Sequence, residues 1–281
     1  MTTCFSNILI PVDFSINTEI AVQKSLWLAR EDNITIQLLH VINATPQVGG
    51  LYMHGFPGFF PVTTSSFKTL IASRLEEIKH RILSAAANTE VAIHIAAQEP
   101  IQDAIIHFAN KLQTDLIIVG KNKNHNWFPF LKTINSNEVS RKTNCAVLTV
   151  KPGGISNKIK SIVIPIGRIK PERKIQLLEA VTGNNRPKVH LVSIFKKADP
   201  DKWTGVFLDT YRTLSQHLHY PVAYEILTGN NTAKAIYAYA RSVRADMLII
   251  NTNEESKISP ISGMQTNDLI RPNSKLNVLT A

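Results

Sequence analysis

Three places in the chain carry residue types that could do binding chemistry. Asp13 directly follows the apolar run Ile8–Val12. A carboxylate there could accept a hydrogen bond from an adenine amino group or a ribose hydroxyl. It could equally serve the turn into a following helix, with Ser15 and Asn17 as competing caps. Arg168-Ile-Lys-Pro-Glu-Arg-Lys174 sets basic side chains against one acid just past another apolar run. Arg168, Lys170, Arg173 and Lys174 are thus a candidate anion site, or else the solvated first turn of a helix whose dipole they oppose. His217 and His219 are spaced to share one strand face, but no third ligand stands near them, so a metal centre is not supported. His40, His94 and His107 sit in apolar stretches and read as core or edge residues. The chain has no Gly-x-x-x-x-Gly-Lys-Ser/Thr loop, no Gly-x-Ser-x-Gly elbow and no His-Glu-x-x-His helix. A turnover reaction has no visible nucleophile and base, and no catalytic residue is assigned.

These candidates must be positioned by regular elements, and the elements repeat. Asn7-Ile-Leu-Ile-Pro-Val-Asp13 recurs as Ser161-Ile-Val-Ile-Pro-Ile-Gly167, and residues 91–120 align without a gap on 222–251. Asp115-Leu-Ile-Ile-Val-Gly120 thereby matches Asp246-Met-Leu-Ile-Ile-Asn251. The 281 residues then divide into a first domain over 1–152, a linker over 153–160 and a second domain over 161–281. In the first, strands are expected at Ile8–Val12, Ile34–Ile42, Val91–Ala96, Leu116–Val119 and Ala146–Val150. Helices are expected over 17–31, with Ala21, Leu28 and Ala29 on the apolar face, and over 66–87, 101–112 and 134–142. The second domain repeats this order with shorter loops and ends in a strand over Leu276–Leu279. Strand–helix alternation with near-continuous apolar strands predicts an α/β fold: two tandem doubly wound, Rossmann-like parallel sheets of five strands each. In such sheets ligands bind beyond the carboxyl ends of the strands, here the loops after Val12, Ile42 and Val119.

Charge is divided unequally. Of 31 basic and 21 acidic residues, 13 and 11 fall within 1–152, so most of the net +10 belongs to the second domain. No long basic run or aromatic-flanked RNA motif accompanies it, which argues against nucleic acid as a partner. Two cysteines, Cys4 and Cys145, exclude a disulfide framework and a four-cysteine zinc site. No apolar run is long enough to cross a bilayer, and the N-terminus lacks a charged signal-peptide region, so a soluble, cytoplasmic protein with no membrane partner is expected.

Asn7-Ile-Leu-Ile-Pro-Val-Asp-Phe-Ser15, Leu38-Leu-His-Val-Ile42, Asp115-Leu-Ile-Ile-Val-Gly120 and Asn144-Cys-Ala-Val-Leu-Thr-Val150 resemble the successive blocks of a universal stress protein domain. The second half resembles it more weakly, through Ile162–Gly167, Val189–Ile194 and Val222–Asn251. The resemblance implies a tandem member whose halves pack as a pseudo-dimer through their last strands, with a homodimer as a further possibility. It also implies an adenine-nucleotide pocket in the first half, in which Pro11, Val12, Asp13 and Val41 match the positions of the nucleoside contacts. Nucleotide-binding members carry Gly, two residues, Gly, nine residues, Gly, then Ser or Thr. Laid on Gly120, that pattern puts Lys123, Thr133 and Ile134 where glycine, glycine and a hydroxyl belong. Lys121 and Lys123 supply charge but not the close backbone approach that glycine allows. In the second half Gly167, Asn251 and Glu254 replace the aspartate and the first two glycines. The expected function is a non-catalytic, stress-linked regulatory or interaction module with an unidentified protein partner and no required cofactor. The competing expectations are an ATP or AMP sensor in the first half, with weak hydrolysis, and an anion or nucleic-acid binder in the second. The Gly- and aromatic-rich loop 49–61 could be a lid or docking patch, or could fold over the sheet end. Trp127-Phe-Pro-Phe-Leu131 would fill space that a triphosphate needs.

Overall fold

The chain is seen in a computed structural model, which describes residues 5–29, 33–42, 65–86, 88–97, 99–121, 134–155, 158–167, 170–183, 185–194, 200–228, 231–251 and 274–281. The loop at 49–61, the Trp127–Leu131 segment, Cys4, Lys123, Thr133, Arg168, Glu254 and Glu255 lie outside them.

The first repeat runs β1 (Asn7–Val12), α1 (Ile16–Leu28), β2 (Ile34–Ile42), α2 (Ser65–Ala85), β3 (Thr89–Ala97), α3 (Ile101–Lys111), β4 (Leu116–Gly120), α4 (Ser136–Thr143) and β5 (Ala146–Val150). The second runs β6 (Ser161–Pro165), α5 (Glu172–Thr182), β7 (Lys188–Ile194), α6 (Pro200–Arg212), β8 (Val222–Leu227), α7 (Thr232–Ser242), β9 (Met247–Ile250) and β10 (Asn277–Thr280). Five strands per repeat agree with the sequence reading. Compact packing, however, groups Phe5–Asn135 as one unit and joins Ser136–Val150 to the second repeat.

Within Phe5–Asn135 the strand order is β3-β2-β1-β4, all parallel. Within the other unit it is β5-β10-β9-β6-β7-β8, parallel except for β5 against β10. That antiparallel pair matches Val278 to Thr149, Leu279 to Leu148 and Thr280 to Val147. Both strands contain Val-Leu-Thr, so valine faces threonine on either side of a central leucine pair. This is the self-complementary pattern of a local two-fold. The terminal strand is thus held on both edges.

Each repeat is fastened by the same aspartate. Asp115 enters β4 and accepts from Ser6 N at 2.8 Å, Ser6 Oγ at 3.0 Å and Asn7 N at 3.2 Å, where β1 begins. Asp246, its counterpart before β9, accepts from Lys160 N at 2.8 Å and Ser161 N at 3.1 Å where β6 begins. The carboxylates satisfy amide donors that the first residues of a strand otherwise leave to water. The helices before these aspartates also end alike, on a left-handed residue, Gln113 at φ 55° and Arg244 at φ 51°.

Some boundaries differ from the sequence reading. Helix α1 stops at Leu28, and Leu28 is half-buried while Ile20, Ala21, Val22 and Ala29 make the core face. The fourth helix is Ser136–Thr143 rather than 134–142, because Asn144 turns left-handed at φ 52° and ends it. His217 and His219 share no strand. The first closes a π-turn over Thr213–His217 and the second is left-handed at φ 53°, so the two-residue spacing of the histidines does not mark extended chain here. Helix α2 buries Ile71, Leu75, Ile78 and Ile82, a helical stripe at intervals of four, three and four.

Replacing Asp115 or Asp246 by Ala should each destabilise the protein by about 0.5–1.5 kcal/mol, the net worth of an ordinary hydrogen bond, because the Ser6 and Lys160 amides are exposed and water can take the place of the carboxylate there. Denaturant unfolding of the two variants measures it, and similar losses are expected because the two clamps are alike.

Candidate functional site

β1 lies between β2 and β4, so Asp13, Val41 and Gly120 come out together at the carboxyl edge of the first repeat's sheet. The Asp13 side chain is fixed by the turn it opens. Its Oδ1 accepts from Ser15 N at 3.0 Å, Ser15 Oγ at 2.7 Å and Thr18 Oγ1 at 2.8 Å. Thr18 Oγ1 accepts in return from Asp13 N at 2.9 Å. Ser15 is the helix cap, its Oγ accepting from Asn17 N at 3.1 Å. Asp13 therefore holds the turn while Ser15 caps it, and Oδ2 carries one longer contact, 3.4 Å from Asn17 Nδ2. Thr18 was not singled out in the sequence. Its signal is a hydroxyl five residues beyond the aspartate, buried to 1% exposure.

Phe14 makes the turn possible at a cost, with φ at 56°, a left-handed conformation that bulky residues avoid. Its ring lies 4.8 Å from that of His40, whose Nδ1 is 2.8 Å from Val12 O. A carbonyl can only accept, so Nδ1 carries the proton of the neutral ring. Burial pushes the His40 pKa down, against smaller opposing pulls from the Val12 carbonyl and Asp13. His94 and His190 are shifted down too, first by burial and then by Lys111 and Lys188 respectively. His94 Nε2 meets Gln37 Oε1 at 2.7 Å, so it is a tied edge residue rather than a ligand.

Gly120 is the first glycine of the phosphate pattern, and its lack of a side chain already has a use. A Cβ there would stand 2.0 Å from the Asn17 backbone O and 2.8 Å from its carbonyl carbon. The start of α1 rests directly on the end of β4, and only glycine leaves room for it. Pro11, Val12, Val41 and Gly120 are buried, while Asp13, Lys121 and Ile134 are half-buried. Among the described residues no three His, Cys, Asp or Glu side chains gather to hold a metal ion.

The second repeat's edge has a different chemistry. Gly167 takes the place of Asp13 and is exposed, with open space where a Cβ would go. Of the basic candidates near it, Lys174 is not at the surface. It is 1% exposed, and its Nζ donates to Pro165 O at 2.5 Å. Arg173 Nη2 donates to Asn144 O at 2.5 Å. Lys170 is exposed. Grouping these as one basic patch by proximity in sequence was wrong for Lys174, because the helix turns it inward to satisfy a strand-end carbonyl.

A model of the universal stress protein family matches residues 5–151. Over the whole length, the fold is similar to that of a universal stress protein from Archaeoglobus fulgidus, at 16% identity and TM-score 0.68, covering 98% of this chain and 95% of that one. It is also similar to a universal stress protein from Pseudomonas aeruginosa UCBPP-PA14, at 15% identity and TM-score 0.57, covering 98% and 92%. A third similar structure, of a functionally unknown protein from Pseudomonas aeruginosa PAO1, has 14% identity and TM-score 0.56, covering 98% and 92%. No curated protein sequence matches the chain.

Two outcomes follow from this geometry. Gly120→Ala should cost about 1–3 kcal/mol or more, since backbone rather than a flexible side chain must give way, and chemical denaturation measures it. His40 takes up a proton less readily when folded than when unfolded, so the unfolded state binds more protons below the ordinary histidine range. Stability should therefore fall as pH drops through about 6.5 and below. The slope of unfolding free energy against pH should flatten in His40→Gln.

Proposed function

The chain belongs to the universal stress protein family, as a tandem member, and from that premise we propose that it works as a regulatory module without turnover, in which phosphate recognition has been given up. The observation that carries this reading is the contact between Asn17 O and Gly120. Packing already requires the glycine that survives from the phosphate pattern, so nothing in the described part of the loop needs a phosphate to explain it. Asp13 supports the same reading, since three donors of its own turn already saturate Oδ1. In the second repeat the equivalent edge carries Gly167 and Asn251 instead of an aspartate and a glycine. Among the described residues no nucleophile is paired with a base at either edge, which favours a role read out by binding. A cytoplasmic setting fits this role, and no described helix is long and apolar enough to cross a membrane.

A second reading has one specific observation in its favour. Among the described residues Asp13 Oδ2 has one hydrogen-bond contact, at 3.4 Å, and it stands at the strand edge where a nucleoside would come. On this reading the first repeat binds ATP or AMP through Asp13, Val41 and the Gly120 loop, with Lys121 beside it. An anion or nucleic-acid role for the second repeat is the weakest, because Arg173 and Lys174 each donate to a backbone carbonyl.

Thermal unfolding in the presence of adenosine, AMP or ATP separates the readings. A ligand held at 100 times its dissociation constant stabilises the native state by about 2.7 kcal/mol, well within detection. The regulatory reading expects none of the three to raise the unfolding temperature and ATP to release no phosphate. Stabilisation by any of them that disappears in Asp13→Ala would establish the nucleotide sensor instead.

A further inference from the structure

β8 is the last strand of its sheet, hydrogen-bonded to β7 along one edge and to no described strand along the other. Natural proteins blunt such edges with inward charges, proline or a covering helix. Val222-Ala-Tyr-Glu-Ile-Leu227 has no lysine and no proline. Its Val222, Tyr224 and Ile226 share one face, and Tyr224 is 61% and Ile226 46% exposed. Leu208 on α6 adds a further apolar side chain at 45% exposure. Phe207 and Tyr211 of α6 meet the Tyr224 ring edge-on at 6.0 Å, which holds it in place without covering it.

The first repeat keeps the same face better covered. By the ungapped alignment Tyr224 and Ile226 correspond to Ile93 and Ile95, which are half-buried and 36% exposed. The second repeat has enlarged the side chain at the first of these positions, from isoleucine to tyrosine, and leaves both positions more exposed. The change bares apolar area where a single folded domain would hide it.

We infer that β8 is a self-association strand, pairing antiparallel with β8 of a second copy of this chain about a two-fold centred on Tyr224. The register follows from the sequence and its charge. A two-fold perpendicular to the sheet pairs residues on the same face, so the centre must fall on a residue. Only centres at Tyr224 and Glu225 keep five residue pairs. Centring on Glu225 sets two carboxylates directly opposite each other, which is destabilising. Centring on Tyr224 places Glu225 against Ala223 of the second copy. The exposed face then becomes Tyr224 on Tyr224, flanked twice by Val222 on Ile226, with no charge in it. The chain already uses this kind of pairing between homologous strands at β5 and β10. A net charge of +10 on each copy opposes association, so salt should favour the dimer.

Sedimentation velocity of the full chain over a wide concentration range, at low and at about 0.5 M salt, tests this. The expected result is a monomer–dimer equilibrium that strengthens with salt. Ile226→Lys should weaken it at least tenfold and Glu225→Gln should not, with circular dichroism and unfolding temperature confirming that both variants fold. In a Cys4→Ser background, a short thiol-specific cross-linker should join Tyr224→Cys to itself, but not Ile226→Cys to itself. A chain that stays monomeric throughout, or a dimer indifferent to Ile226→Lys, overturns the proposal. Self-linking at Ile226→Cys overturns the register.

Discussion

The first repeat hangs on a backbone contact, the Asn17 carbonyl resting against Gly120. It fixes how near the N-terminus of α1 comes to the end of β4, and so how tightly the chain must turn between β1 and α1. That turn has room for few residues, and Phe14 has to go left-handed to complete it. Asp13 is then drawn back onto Ser15 and Thr18, and the Phe14 ring is laid on His40. The candidate ligand edge is the by-product of a packing requirement, which is why its residues look as much like turn chemistry as like recognition chemistry.

The second repeat shows the effect of relaxing that constraint. With Asn251 in place of Gly120 and Gly167 in place of Asp13, the strand-end turn has no carboxylate to organise. The carbonyl at Pro165 is met by a buried lysine amine. A buried lysine nitrogen needs an acceptor, and the Pro165 carbonyl supplies one. Lysine is not always a surface cation here: Lys24, Lys151 and Lys174 are all among the most buried side chains of the protein. Lys24 Nζ lies 4.1 Å over the Trp27 ring.

The elements were legible in the sequence because parallel strands buried on both faces write continuous apolar runs, and because the repeat gave every assignment a second witness. Asp115 and Asp246 could be matched by alignment, although only the structure showed that they tie the sheet together. What escaped was whatever depends on direction in space. Lys174 reads as exposed until the helix turns it inward. His217 and His219 alternate like strand residues, yet they close a π-turn and a left-handed bend. The glycine at 120 was recognised, but its pattern pointed to phosphate while its neighbour is a carbonyl oxygen, and no sequence spacing reveals that a helix start seventeen residues into the chain will lean on it. The division of compact units at Ser136 was likewise invisible, since the repeat ends only after β5.

The pairing of β5 with β10 has an outcome that its hydrogen bonds alone do not express. Two identical chains meeting through Val-Leu-Thr strands would be locked to one sequence, and every inherited change would fall on both sides at once. Here the two strands belong to one polypeptide, so Leu148 and Leu279 can be altered separately and neither has to suit a copy of itself. Nor can the paired strands drift apart on dilution. That freedom from symmetry allows one repeat to keep an aspartate at its strand edge while the other discards it and bares a tyrosine. The molecule has become two specialised faces carried on a permanent union.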